Sequence, residues 1–324
     1  MLSIPEYQNE FLAYLKTYPF GKAPEGLYAP VSYIMHLGGK RLRPVLTLLA
    51  ADFFDGDYRK AMDAALAVEV FHNFTLVHDD IMDGASVRRG HPCVHEKWDV
   101  NTGILSGDVM LVMSYKLFEG YAPELQVALL RVFNKMAAEV CEGQQYDVDF
   151  ELRGDVSLDE YLLMITYKTA VLVGTALEMG ALVAGAAADE ARAIYDYGVN
   201  LGMAFQLQDD YLDAFGDEET FGKKIGGDIA ENKKTFLYIK ALEGLDNEDA
   251  QLLRDLYELH PADTEEKIKT VKELFVSSGA TGIIQDEIRS YTQKAFDCII
   301  PLGTEDSKKQ LLLDFGRDLM TRTV

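Results

Sequence analysis

The stretch KAMDAALAVEVFHNFTLVHDDIMDGASVRRG, residues 60–90, decides the fold. Apolar residues recur in it at Leu66, Val70, Phe71, Phe74 and Leu76–Val77, the spacing of a helix face, with few turn signals before Asp79. Outward from it, segments 125–146, 157–187, 190–215, 263–278 and 280–298 show the same helical periodicity. Ser157 with Glu160 has capping-box spacing, and Thr264 precedes EEKIK as a second N-cap. Pro and Gly punctuate between these runs, in YPFGKAPEG, YAPEL, GDEETFGKKIGG and LHPAD, and no βαβ unit is evident. The expectation is an all-α chain of about a dozen mostly long helices. No composition shift marks a boundary, so residues 1–324 are read as a single domain, with a more charged helical flank at the C-terminal end.

The chain has 324 residues, 31 Lys plus Arg against 53 Asp plus Glu, a net charge of −22 and 48% hydrophobic residues. This composition describes a globular protein with a large core. The acid excess argues against a nucleic-acid binder and against a protein held on anionic lipid by charge. Three scattered cysteines, Cys93, Cys141 and Cys298, imply no disulfide framework and suit a reduced, cytoplasmic setting. The start lacks the pattern of a signal peptide, and no continuous apolar run has the length of a membrane span, so no stable membrane insertion is expected.

Asp79, Asp80 and Asp83 form DDxxD at the end of the apolar helical segment. Residues four apart share a helix face, and like charges there destabilise a helix unless a cation sits between them. Oxygen-only ligands at this spacing suit Mg²⁺, which keeps waters and bridges to phosphates. One such cluster is weak evidence, because solvated acid clusters are common. A second DDxxD, Asp209, Asp210 and Asp213, ends another apolar helical stretch, and two are far less easily accidental. Two acid sets can hold ions around a diphosphate and stabilise the charge that develops as it leaves. In LGGKRLRP, residues 37–44, Lys40, Arg41 and Arg43 form a basic cluster in an acidic chain. Cations at a helix N-terminus oppose its dipole, so a phosphate-binding role is the stronger reading. Arg88 and Arg89 offer a second basic pair.

These residues give the chain its resemblance to the trans-isoprenyl diphosphate synthases, the all-α polyprenyl synthetase family. The resemblance runs from GGKRLRP through DDIMDGASVRRG, EGQQYD, YKTA and FQLQDDYLD to FGKKIGGDIAENKKT. It implies a single-domain isoprenoid synthase fold, a helical bundle around a deep central cavity, and usually a homodimer. By position, Lys40, Arg43, His72 and Arg89 match contacts to the diphosphate of isopentenyl diphosphate, and Arg88 a contact to the allylic diphosphate. Asp79, Asp83 and Asp209 match the principal Mg²⁺ ligands, supported by Asp80, Asp210 and Asp213, for three ions per active site. Lys168, Thr169, Gln206, Lys223 and Lys233 match contacts to the allylic substrate, and Gln144 and Asp147 a polar pair near the metals and hydrocarbon. The implied reaction is head-to-tail condensation of isopentenyl diphosphate with dimethylallyl, geranyl or farnesyl diphosphate.

Product length follows from what blocks the hydrocarbon path, and the helix carrying Asp79 is read as its wall. Phe74 lies five residues before Asp79, about 7.5 Å along the axis and roughly 140° around it, whereas Thr75 is only about 40° away. Phe71 shares Phe74's face. Geometry alone favours position 75 as the plug. In the family, an aromatic at the fifth position with a small neighbour and an uninterrupted DDxxD resembles geranylgeranyl synthases. The expected product is therefore C20, with farnesyl diphosphate (C15) as the alternative. The other reading makes Phe71 and Phe74 ordinary core.

Less supported readings are a longer-chain synthase, a class I terpene cyclase and a non-catalytic subunit. The second aspartate motif and GGKRLRP argue against a cyclase, and two intact acid motifs argue against a subunit. His91, Cys93 and His95 form HxCxH, a weak zinc pattern that lacks an evident fourth ligand. Arg317 and Arg322 are assigned to a frayed tail.

Overall fold

The computed structural model describes residues 1–217, 225–261 and 263–321. The predicted helices are present. α1 (Ile4–Thr17), α2 (Glu25–His36) and α3 (Leu42–Phe53) lead to α4 (Met62–Met82), the helix of the opening stretch. A two-stranded hairpin, β1 (Val87–Arg88) and β2 (His91–Pro92), precedes α5 (Val94–Lys97), α6 (Val100–Lys116) and α7 (Pro123–Glu151). Then come α8 (Leu158–Ile165), α9 (Val171–Ala184) and α10 (Ala188–Phe215). α11 (Gly227–Ala230), α12 (Phe236–Gly244), α13 (Asn247–Glu258), α14 (Glu265–Ser277), α15 (Ala280–Ile299) and α16 (Asp306–Met320) complete the order. The C-terminal stretch is thus helical to Met320 rather than frayed; its Arg317 pairs with Asp314 on the same helix at 2.9 Å, and Arg322 lies outside the described residues.

The chain divides into two compact units, Met1–Asn134 with Thr175–Ile194, and Lys135–Gly174 with Tyr195–Val324. Each unit is assembled from separate segments, and α7, α9 and α10 each contribute to both. No cut in the sequence separates them, which is why composition shows no boundary.

In the first unit α4 is buried almost all round, with Ala64, Leu66, Val68, Val70, Phe71 and Val77 at 1% exposure or less. Phe71 packs on Phe74 and Phe133 at 5.5 and 5.3 Å between ring centroids, and Phe133 meets Tyr115 and Phe118. In the second unit Phe236, Leu253, Val271, Phe275 and Ile284 form the centre of the core, drawn from α12 to α15.

Two caps test the sequence reading. Ser157 and Glu160 close the predicted capping box, the Ser157 hydroxyl accepting from the Glu160 N–H and the Glu160 carboxylate accepting from the Ser157 N–H. Thr264 precedes α14 as predicted, but its side chain makes no cap; the Asp263 carboxylate accepts from the Glu265 N–H instead, at 3.0 Å. The stretch Leu158–Ala184 is long and apolar enough to cross a membrane, yet 56% of its most apolar window is buried inside the protein, the place of a core helix.

Candidate active site

The first unit carries GGKRLRP and the first acid set. Asp79 and Asp80 occupy the last turn of α4 and Asp83 is its C-cap. Carboxylates at a helix C-terminus oppose the dipole, so this placement costs stability unless a cation compensates it. Arg88 supplies part of that compensation. Its guanidinium donates to Asp80 Oδ1 through Nε at 2.7 Å and lies 2.6 Å away through a second nitrogen, with Asp79 at 4.0 Å. Asp80 is buried, and its Oδ2 has no hydrogen-bond partner among the described residues.

The hairpin turn places the other arginine. Arg89 and Gly90 both have positive φ, 53° and 77°, as a two-residue hairpin loop requires. The guanidinium of Arg89 thereby lies against Gly39, where an added Cβ would stand 3.0 Å from Arg89 Cζ. Arg43 donates to His72 Nε2 at 3.2 Å, which requires a neutral imidazole with an acceptor at that nitrogen. Burial, and then the charges of Arg43, Arg89, Arg88 and Arg41, hold His72 well below its ordinary value of 6.5. Burial also lowers Arg43, whose Nε has no partner among the described residues. Arg43 and Arg89, disfavoured by burial and by neighbouring arginines around a neutral ring, make a place where a polyanion would be stabilised.

Arg41 has a different task. It is buried in a left-handed conformation, pairs with Glu69, and donates to the carbonyls of Met35 and Leu37, closing the C-terminal end of α2. The Lys40 side chain is exposed. Phe74 is buried beside Phe71 and 4.9 Å from the His78 ring; Thr75 is partly buried, its hydroxyl donating to the His72 carbonyl. Cys93 is buried with its thiol toward Asp80, and burial and that carboxylate push it up to about 12. Among the described residues His91, Cys93 and His95 are not gathered as a metal-binding group, and HxCxH is the end of the hairpin and the start of α5.

The second unit carries a cavity of about 200 Å³, lined by Asp147, Lys168, Thr169, Gln206, Asp209, Asp210, Asp228 and Lys233 among others. Lys168 and Thr169 sit in a π-helical turn, Thr166–Ala170, joining α8 to α9. Such turns concentrate at functional sites because they break the regular hydrogen-bond ladder. Gly143 of α7 admits it: a Cβ there would meet the Lys168 backbone nitrogen at 2.3 Å. Lys168 pairs with Asp147 at 2.5 Å. The Thr169 hydroxyl donates to Gln206 Oε1 (3.1 Å), Gln206 donates to Asp210 Oδ1 (3.0 Å), and the Tyr161 hydroxyl donates to Asp210 Oδ2. Both Asp210 oxygens are therefore engaged by the protein. Asp213 accepts from the Asp228 N–H at 3.0 Å.

Lys233 lies 2.9 Å from Glu231 and 3.9 Å from Asp228. Burial, then the charge of Asp213, raises Asp228 to about 7 against the pull of Lys233; burial and Asp228 together raise Asp210 well above the carboxylate range. Gln144 lies on α7, partly buried, one turn from Asp147. Lys223 falls outside the described residues. Sequence reasoning assigned no role to Asp228, Tyr161 or Lys234, which line the same cavity; Asp228 stands within GGDIAENKKT, but one aspartate among many carries no signal of its own.

Among the described residues no group of three or more His, Cys, Asp or Glu is gathered closely enough to hold an ion unaided. The donors are nonetheless hard oxygens, with one orphaned at Asp80 and ionisation disfavoured at Asp210 and Asp228 in the protein alone. This fits a hydrated ion that takes part of its shell from water and diphosphate rather than one in a protein cage.

Residues 24–275 match the family model described as Polyprenyl synthetase. The chain is 37% identical over 291 residues to the short chain isoprenyl diphosphate synthase of Methanothermobacter thermautotrophicus, covering 90% of this chain and 89% of that one. It is 40% identical over 274 residues to the geranylgeranyl pyrophosphate synthase of Geoglobus acetivorans, covering 84% and 83%. A crystal structure of a geranylgeranyl pyrophosphate synthase matches with a TM-score of 0.96 at 54% identity, over 99% of each chain. The chain belongs to the polyprenyl synthetase family. Its fold is the all-α isoprenoid synthase fold, and its activity is that of a prenyltransferase of the short-chain isoprenyl diphosphate synthase type. The family is generally Mg²⁺-dependent.

Proposed function

We propose that this chain condenses isopentenyl diphosphate head to tail with an allylic diphosphate to make all-trans geranylgeranyl diphosphate. The observation that carries the reading is the pair of partly or fully buried guanidiniums Arg43 and Arg89 beside neutral His72, both disfavoured by burial and by neighbouring arginines, a setting that the negative charge of a diphosphate relieves. Lys40, Arg43, His72 and Arg89 bind the diphosphate of isopentenyl diphosphate, and Arg88, held by Asp80, binds the allylic diphosphate.

Asp79, Asp83 and Asp209 would hold magnesium, three ions per site, with Asp80, Asp210 and Asp213 in support. When bound, magnesium supplies positive charge to the diphosphate oxygens. The chain's own groups do the rest. Lys168, Lys223 and Lys233 receive the negative charge that grows on the departing diphosphate. Thr169 and Gln206, locked to each other, present oxygen dipoles to the delocalised cation, beside Gln144 and Asp147. The double bond of isopentenyl diphosphate attacks that cation, and the proton lost afterwards passes to the released diphosphate, so no side chain acts as nucleophile.

Phe74, with Phe71 behind it and Thr75 beside it, limits the product to C20; the relatives named as geranylgeranyl synthases support this length. A cytoplasmic homodimer is the proposed working form. The test is incubation with Mg²⁺, isopentenyl diphosphate and each allylic diphosphate, followed by chromatography of the dephosphorylated products. A C20 alcohol is expected. Products ending at C15 or extending past C20 overturn the length, diphosphate release without isopentenyl diphosphate indicates a cyclase, and no turnover overturns the enzyme.

A further inference from the structure

A lysine outside all of these motifs is buried behind the cavity of the second unit. Lys267, on the first turn of α14, is 4% exposed. Its ammonium donates to the Asn232 side-chain oxygen and to the Leu259 carbonyl at 3.0 Å, and lies 5.8 Å from the Tyr257 ring centre. Burial alone pushes its pKa down, with no neighbouring charge pulling it back. A buried ammonium satisfied only by neutral oxygens is expensive, and a Met or Leu of similar size would pack there at lower cost.

The partner explains the choice. Asn232 is itself 5% exposed and left-handed at φ 62°, and its amide donates to the same Leu259 carbonyl at 3.3 Å. It lies between Glu231 and Lys233 in the turn that carries Asp228 and Lys233 into the cavity. Within this turn the Asn232 N–H donates to the Ile229 carbonyl at 3.3 Å and the Lys233 N–H to the Asp228 carbonyl at 2.9 Å. The next residue of α14 braces the start of the same turn: at Gly226, φ 83°, a Cβ would lie 2.7 Å from Ile268 Cγ2. Neighbouring residues of one helix thus hold both ends of the turn.

We propose that Lys267 is a positioning residue, which through Asn232 fixes the 226–235 turn and so the directions in which Asp228 and Lys233 enter the cavity. Its kinetic consequence rests on the reading of that cavity as the allylic diphosphate site.

Steady-state kinetics of the full chain with Mg²⁺, isopentenyl diphosphate and farnesyl diphosphate test it. Lys267→Met is expected to raise KM for the allylic diphosphate about tenfold, the scale of one charge-assisted hydrogen bond, and to leave KM for isopentenyl diphosphate unchanged. Added to Lys233→Ala, its effect should be less than additive, because it acts in part through that residue. Asn232→Gly keeps the left-handed backbone, removes the amide, and should reproduce the split if Lys267→Met does not fold. A wild-type KM in both variants, equal losses for both substrates, or additivity with Lys233→Ala overturns the proposal. Hydrogen exchange reports independently of turnover: the amides of Asn232 and Lys233 should exchange faster in Lys267→Met while those of α12 do not, and unchanged exchange also overturns it. Were the wild type to make no elongated product, the proposed activity would fail, while exchange would still decide the role of Lys267 in the turn.

Discussion

Gly39 and Arg89 touch: the space a side chain would fill at Gly39 is taken by the Arg89 guanidinium, 3.0 Å from where a Cβ would stand. This approach joins two motifs fifty residues apart, GGKRLRP and RRG, into one basic cluster. A methyl at position 39 would press on that guanidinium and would sit on a backbone with φ 154°, which side chains rarely adopt. Gly39→Ala should raise KM for isopentenyl diphosphate by about three- to tenfold with kcat retained, the pattern of a binding interaction weakened to the same extent in ground and transition states. An unchanged KM would separate Arg89 from that substrate.

His72 makes stability depend on pH. Its imidazole is held neutral in the folded chain, whereas the unfolded chain takes up a proton near the ordinary value of 6.5. Below that value the unfolded state binds the extra proton, so stability present above 6.5 is lost as pH falls, at up to about 1.4 kcal/mol per pH unit. Between about pH 7.5 and pH 5, the wild type should lose more Tm than His72→Gln, which can still accept from Arg43. Inorganic pyrophosphate should narrow the gap, since an anion among the arginines favours the imidazolium. Parallel Tm profiles would show that His72 does not carry the dependence.

Phe74 is 8% exposed and packed on Phe71. Phe74→Ala should extend the product beyond C20, read by chromatography of the dephosphorylated alcohols, at a stability cost of about 3 kcal/mol for the cavity left behind. An unaltered product spread in a folded variant would return Phe74 to the ordinary core.

Gly143→Ala probes the π-helical turn. The added methyl would meet backbone atoms, Lys168 N at 2.3 Å and Tyr167 C at 2.8 Å, and backbone cannot swing aside. Thermal unfolding should show a loss of about 1–3 kcal/mol, as for overpacking, together with reduced turnover as Lys168 and Thr169 are displaced. Wild-type stability and activity would mean that the two elements do not approach so closely.

Much of this protein could be read from its residues in order. The 3.6-residue periodicity of 60–82 became α4, and the runs near 125–146, 190–215 and 280–298 became α7, α10 and α15 within a few residues. The spacing of each DDxxD placed its aspartates near the C-terminal end of a helix, because helical geometry is local and follows from sequence separation alone. The basic character of GGKRLRP was equally legible, since charge needs no fold to be counted.

What the sequence by itself determined is therefore the helices, the charged motifs on them and the family they define. Only the tertiary structure decided which member of each motif does what. Arg41 and Arg43 are two residues apart, yet one closes the end of α2 and the other meets His72. Both Asp210 oxygens are engaged by Tyr161 and Gln206, while the neighbouring Asp209 lines the same cavity. Asp228 and Lys267 gain their roles from neighbours on other elements. The physical reason is that burial, shifted ionisation and hydrogen-bond partnership are properties of a site, set by groups brought together from distant parts of the chain, and no spacing along the sequence encodes them.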